Sequence, residues 1–203
     1  MRGRAALRLL RHEMAQAAAL ARWITRRPPH GAGSGDTAVS YASAQAAVMW
    51  VMTFVSLLET VVLALIIPWP LVHLVLLVLG IWGTLFGVEL HAASVTRPHL
   101  VGADGSLRVR YGVLLDIAVP ADRVGAVRLD PRFPGGKQLV IDEDGTTSLN
   151  VAGQTNVTVD LTGPVPFARP LGAPAEARTT LRFYADDPRA AIDALTRARD
   201  AAA

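Results

Sequence analysis

The longest apolar stretch of the chain falls into two halves. Polarity in residues 47–67 comes only from Thr53, Ser56, Glu59 and Thr60, and in residues 71–90 only from His73, Thr84 and Glu89. Each half has the roughly 20 residues that a helix needs to cross about 30 Å of hydrocarbon. One helix made of both would overrun any bilayer, and the join reads Pro68-Trp69-Pro70. Proline lacks the N–H and clashes with the turn before it, while tryptophan favours the headgroup boundary. The pattern predicts a two-helix transmembrane hairpin over residues 45–92 that turns at 68–70.

The pattern changes on either side. Over residues 1–27, at 100° per residue, Arg4, Arg8, Arg11, Arg22 and Arg26 gather on one side, and Leu9, Leu10, Met14, Ala17, Leu20, Ala21 and Ile24 on the other. That is the arrangement of a helix lying in the membrane plane with its arginines toward anionic headgroups; the alternative is a helix packed on the protein's own domain. Residues 28–44 open with Pro28 and Pro29 and continue rich in Gly and Ser, as a linker does. From residue 93 the period falls to two, most plainly in Leu107 to Tyr111 and Val157 to Leu161. Asp-Gly pairs at 104–105 and 144–145 mark hairpin turns. The proline-rich segment 164–177 reads as a long structureless loop. A C-terminal helix is expected over 187–200, capped by Asp186 or Asp187, with Pro188 in its first turn and Ile192, Leu195 and Ala198 facing inward. Seven or so antiparallel strands and one helix in residues 93–203 predict a small barrel or two-sheet sandwich closed by that helix.

Charge supports the division. No Lys or Arg occurs from Pro28 to Thr96, whereas residues 1–40 hold seven Arg against Glu13 and Asp36, and residues 91–203 balance thirteen bases against thirteen acids. The overall charge of +3 is therefore a basic N-terminus beside two spans, which points to anionic lipid rather than nucleic acid. Arg22, Arg26 and Arg27 precede the hairpin and Arg97 follows it, so the positive-inside bias places both termini in the cytoplasm of a multi-pass cell-membrane protein. A secretory signal peptide is excluded, because the apolar run starts too late and is too long. Arginine outnumbers lysine nineteen to one, the composition of a GC-rich bacterial genome.

A membrane hairpin followed by strands such as DGSLRVRYGVLLDIAVPADRVGAVRL resembles the bacterial pleckstrin-homology-like (PH-like) membrane proteins. In these the first strand pair leads through a hydrophobic-Pro-x-Asp-Arg-hydrophobic segment, here Val119 to Val124, into the next strand. The resemblance covers residues 45–200. It implies a membrane-anchored cytoplasmic PH-like barrel with a C-terminal helix, and a binding or assembly module without shared catalytic residues. The basic N-terminal helix and the proline-rich segment depart from that pattern.

Candidate chemistry is sparse. With no cysteine there is no thiolate nucleophile, disulfide or Cys-ligated metal. His12, His30, His73, His91 and His99 show no ligand spacing, and Asp142, Glu143 and Asp144 lack the alternating acids and distal Glu of a calcium loop. The Asn156 sequon reads as chance on a cytoplasmic strand. No cofactor, metal or small-molecule substrate is expected, and the reading is non-enzymatic. Glu59, mid-span and at the depth of Leu79 and Gly80, is either a proton-handling group or an uncharged carboxyl bonded to Thr60, Thr84 or a backbone carbonyl in an oligomer. Gly80 and Gly83 would let the spans approach closely. Arg108 and Arg110 share a strand face and could meet a partner or lipid, as could Phe167, Arg169 and Leu171 in the proline-rich segment. The function expected is a scaffold or accessory subunit contacting anionic lipid and a protein partner or a second copy. The alternatives are a small transport component using Glu59 and an anionic-lipid-binding module.

Overall fold

The structure, a computed structural model, describes residues 2–169 and 173–202, with the side chains of all of these except 2–9, 11 and 202. Helix α1 (Arg2–Ile24) is followed by strand β1 (Thr37–Val39) and then by two long helices, α2 (Ser43–Ile66) and α3 (Pro70–Thr96). α2 stops because Ile67 precedes a proline and is held extended, at ψ 111°. α3 restarts with Pro70 in its first turn, where the missing N–H costs nothing. Both helices are long and apolar enough to cross a membrane. At the end away from the turn both run past the apolar stretch, and the added turns hold Gln45, Ala92, Ala93, Ser94 and Thr96, all buried.

The two helices meet along small side chains. Thr53, Ser56 and Thr60 of α2 lie against Gly87, Gly83 and Gly80 of α3. Each threonine hydroxyl there donates back to its own helix, Thr53 to Met49 O at 2.8 Å, Thr60 to Ser56 O at 2.7 Å and Thr84 to Gly80 O at 2.9 Å. The interface is therefore close-packed and has its polar groups satisfied, as apolar surroundings demand. α1 packs on the far end of α3, where Trp23 rests on His91 and Trp50.

The remainder is mainly β. It comprises β2 (His99–Val101), β3 (Leu107–Tyr111), β4 (Leu115–Val119), a 3-10 turn at Ala121–Arg123, β5 (Val124–Arg132), β6 (Leu139–Ile141), β7 (Thr146–Leu149), β8 (Thr155–Leu161), β9 (Val165–Ala168), β10 (Pro174–Ala177), β11 (Thr180–Phe183) and helix α4 (Pro188–Ala202). These form a four-stranded sheet in the order β1-β2-β3-β4, a five-stranded sheet in the order β5-β8-β11-β7-β6, and the pair β9-β10. All three sheets and α4 feed one core around Val109, Ile117, Leu149, Val159, Leu181, Phe183 and Leu195. α4 is capped by Asp187, which accepts from Ala190 N at 2.9 Å.

Four expectations change. The sheets are separate and none closes into a barrel. Strand β11 lies parallel to β7, so the domain is not antiparallel throughout; the excursion through β8 to β10 supplies the long connection that a parallel pair needs. The 28–44 segment is more than a linker, because β1 within it pairs with β2. The proline-rich segment is a β-hairpin rather than a structureless loop: Val165 and Phe167 alternate into the core, while Pro166 and Pro174 take exposed places on a two-stranded ribbon whose strands are both edges.

Candidate functional site

Where the two long helices join the β domain, a collar of buried polar and aromatic side chains holds them together. It grows from residues just outside the apolar stretches. Tyr41, two residues ahead of α2, is fully buried with its ring stacked on His99 at 4.6 Å between centroids, and Phe183 meets His99 edge-on at 5.0 Å. The Tyr41 hydroxyl accepts from Gly112 N at 2.6 Å, and burial raises its pKa. Gln45 of α2 donates to Ser94 of α3 at 2.9 Å and accepts from the Tyr111 hydroxyl of β3 at 2.6 Å. One side chain thus joins both helices to the sheet.

His99 is fixed at both ring nitrogens. Nδ1 accepts from Arg110 N at 2.9 Å, so the proton sits on Nε2, which donates to Tyr184 O at 3.0 Å. Burial lowers its pKa to about 4. Both nitrogens are spent on backbone groups, so the imidazole positions strands rather than shuttling protons.

Asp186 ties the same region from the other side. Its carboxylate accepts from Ser40 Oγ at 2.7 Å, Ser43 Oγ at 2.5 Å and Ser43 N at 3.2 Å. It thereby caps the start of α2 from a position 143 residues away in the chain. Asp186→Ala is expected to lower stability by about 1–2 kcal/mol, the cost of an N-cap and its charged hydrogen bonds. Thermal unfolding of the purified chain measures it, with Asp186→Asn recovering part of the loss.

The arginines singled out from the strand pattern part company here. Arg108 is exposed and donates to Asp116 at 2.8 Å. Arg110 is only 2% exposed, because the chain at His30 and Gly31 folds over it: its guanidinium donates to His30 O at 2.7 Å and faces Asp116 at 3.5 Å, an ion pair too long for a hydrogen bond. Arg110 is therefore a structural member of the collar, not a free contact. Phe167 is 8% exposed and belongs to the core, whereas Arg169 is exposed beside a cavity of about 580 Å³ between the 142–145 turn and the β9-β10 hairpin. Leu171 lies outside the described residues, as do the side chains of Arg4, Arg8 and Arg11.

Thr60 meets Gly80, and Glu59 beside it points outward and is exposed. Thr60 and Thr84 are not its partners, since both hydroxyls serve their own helices. Arg22 and Arg26 flank a second cavity, between the end of α1 and the end of α3. Tyr41, Gln45, Ser94 and His99 were not legible as a site, because each finds its partners through the fold and no short spacing joins them. Among the described residues no three His, Cys, Asp or Glu side chains group as metal ligands do. The chain matches no family model, and no curated protein or solved structure is significantly similar to it.

Proposed function

We propose that this is an integral membrane protein whose α2-α3 hairpin crosses the bilayer twice, and whose β domain serves on the cytoplasmic side as a non-enzymatic scaffold or accessory subunit. The observation that carries the reading is the hairpin's outer surface. Large apolar side chains along it are exposed, from 38% at Leu63 to 81% at Leu65, around an interface of small and hydroxylated residues. In water so large an apolar surface would drive aggregation; in hydrocarbon it is the ordinary exterior. The absence of Lys and Arg from the turn and their presence before α2 and after α3 support cytoplasmic termini. A contact role for the domain is supported by exposed Leu129 and Phe133 (78%) on and just after β5, an edge strand. The PH-like reading rests on two main sheets sharing one core with a single C-terminal helix; the parallel β7-β11 pair and the β9-β10 hairpin would be additions to that plan.

Because the chain has no cysteine, single cysteines report topology cleanly. Trp69→Cys is expected to react with an impermeant maleimide on intact cells and Glu143→Cys only after permeabilisation; the reverse pattern would overturn the orientation. Purification in nanodiscs then tests the role, a stoichiometric protein partner being the expected result and a lone monomer the opposing one. Glu59 sharpens this test. An outward carboxyl at mid-depth needs a hydrogen-bonding partner from another chain. Glu59→Gln is expected to keep the partner and Glu59→Leu to weaken its recovery about tenfold, a loss of about 1–2 kcal/mol.

A further inference from the structure

We propose that the recess between the last turn of α1 and the last turn of α3 binds one anionic phospholipid, its phosphodiester held by Arg22, Arg26 and Arg27 and its acyl chains running along Ile24 and Val95. The proposal rests on the membrane reading above. The recess has a volume of about 460 Å³, within the range of small-molecule sites, and no carboxylate lines it. Its rim is cationic, while Trp23, Ile24 and Val95 supply an apolar wall. A phospholipid headgroup at the edge of hydrocarbon has that same division of chemistry.

Three features place the site at the right level and aim it. Trp23 meets His91 edge-on and Trp50 at a tilt, an aromatic cluster of the kind that sits at headgroup depth. Leu10, Met14, Ala17, Ala21 and Ile24 form an exposed stripe along α1, while the helix turns Gln16 and Ala19 inward. The amphipathic face is thus left free for a bilayer surface rather than used against the domain. Arg22 donates to Pro28 O at 3.0 Å, which fixes the guanidinium at the rim and uses one of its five N–H groups. The surrounding field is positive: burial, together with Arg97, Arg22, Arg110 and Arg108, lowers the pKa of neighbouring His30.

The end of α1 carries a further sign. Arg27 N donates to Arg22 O at 3.0 Å and Arg26 N to Trp23 O at 3.1 Å, the paired bonds of a Schellman stop. The residue in the left-handed position of that stop, at φ 50°, is Arg26, where glycine would be free of strain. Strain kept by a charged side chain at the mouth of a cavity points to use of that side chain. It also separates fold from function in one substitution.

Arg26→Gly is expected to keep or raise the thermal stability of the full chain and to weaken binding of phosphatidylglycerol about fivefold, the conversion of about 1 kcal/mol per basic residue near an anionic surface. Delipidated protein in neutral detergent is titrated with phosphatidylglycerol or phosphatidylcholine, and bound lipid is counted by native mass spectrometry. One phosphatidylglycerol, preferred at least about tenfold over phosphatidylcholine, is the supporting result. Arg22→Gln with Arg27→Gln should remove the preference, and Arg189→Gln with Arg197→Gln on α4 should keep it. Equal loss in the α4 variant would show general electrostatics and overturn the site. Displacement by inorganic phosphate, at ionic strength matched with chloride, would make it a free-anion site and overturn the lipid. Carbonate extraction reads the hairpin separately: a chain that stays in the membrane without the lipid preference sinks this proposal alone, and a chain that is extracted sinks the membrane reading.

Discussion

Acidification from pH 7 to pH 4 will destabilise the folded chain by on the order of 3 kcal/mol, and His99 will be the main cause. The imidazole is fully buried between Tyr41 and Phe183, and burial lowers its pKa to about 4, against 6.5 when unfolded. Above pH 6.5 both states hold the ring neutral and stability is at its full value. As pH falls below 6.5 the unfolded chain takes up a proton that the folded chain refuses, and stability is lost until the folded ring also protonates near pH 4. The slope is about 1.4 kcal/mol per pH unit for one proton. His30, also lowered and also by burial first, adds in the same direction. The carboxylates that are held low, Asp104, Asp130 and Asp144, begin to lose their hydrogen-bonded advantage as pH falls through the ordinary carboxylate range, at the acid end of this window, and lose most of it below that. Protonation would also turn Nδ1 from acceptor to donor against Arg110 N, breaking the bond that joins β3 to the ring. Melting temperatures at pH 7.5, 6, 5 and 4 measure the effect. His99→Gln should be less stable at neutral pH and flatter across the series; a variant with the wild-type slope would rule His99 out.

Gly80→Val will force the two long helices apart at a cost of about 1–3 kcal/mol, the range for overpacking a close-packed interface. A Cβ at Gly80 would run into the Oγ1, Cγ2 and Cβ of Thr60, so rotating the threonine cannot make room. At Gly87, one heptad on, a Cβ would clash with Thr53 Oγ1 but not with its Cβ or Cγ2, while at Gly83 a Cβ would lie 3.4 Å from Ser56 Oγ, so that position is the most tolerant. The order of damage is therefore Gly80 and Gly87 ahead of Gly83. Thr60→Ala introduced with Gly80→Ala should recover stability that Gly80→Ala alone loses, a coupling that a double-mutant cycle reads directly. Melting curves in one detergent serve for all variants. Equal tolerance of valine at the three glycines would refute the interface.

The parts of this fold with strong local period were readable from residues alone. The break at Pro68-Trp69-Pro70, the alternation at Leu107 to Tyr111 and the Asp-Pro start of α4 coincide with the hairpin turn, β3 and α4. What escaped depends on partners far along the chain. Thr37 to Val39 is too short for a period and becomes a strand only because His99 to Val101 comes to lie beside it. Phe167 read as the tip of a loop, since Pro166 and Pro174 hide a ribbon whose inward positions are Val165 and Phe167 on one strand and only the small Ala175 and Ala177 on the other. Arg110 shares its strand face with Arg108, and only the chain at His30 and Gly31 makes one buried and leaves the other wet. The polar collar was invisible for the same reason, as Tyr41, Gln45, Ser94 and His99 are separated by up to dozens of residues and carry no shared motif.

The pairing of β1 with β2 has a consequence for how the chain is made. Val39 lies opposite His99, so the strand that enters the hairpin and the strand that leaves it are neighbours in one sheet. During synthesis β1 emerges before either long helix, and its partner emerges only after both. The four-stranded sheet therefore stays incomplete until the ribosome has delivered the whole apolar stretch, and, if the hairpin spans a bilayer as proposed, until its two ends lie on the same side. A chain with one helix inserted and the other left behind would strand β1 across the bilayer from β2, exposing an unpaired edge and the apolar core beneath it. Such a product is open to proteases. On the membrane reading proposed above, the three residue pairs that join β1 to β2 would form only in a chain whose two helices had both crossed.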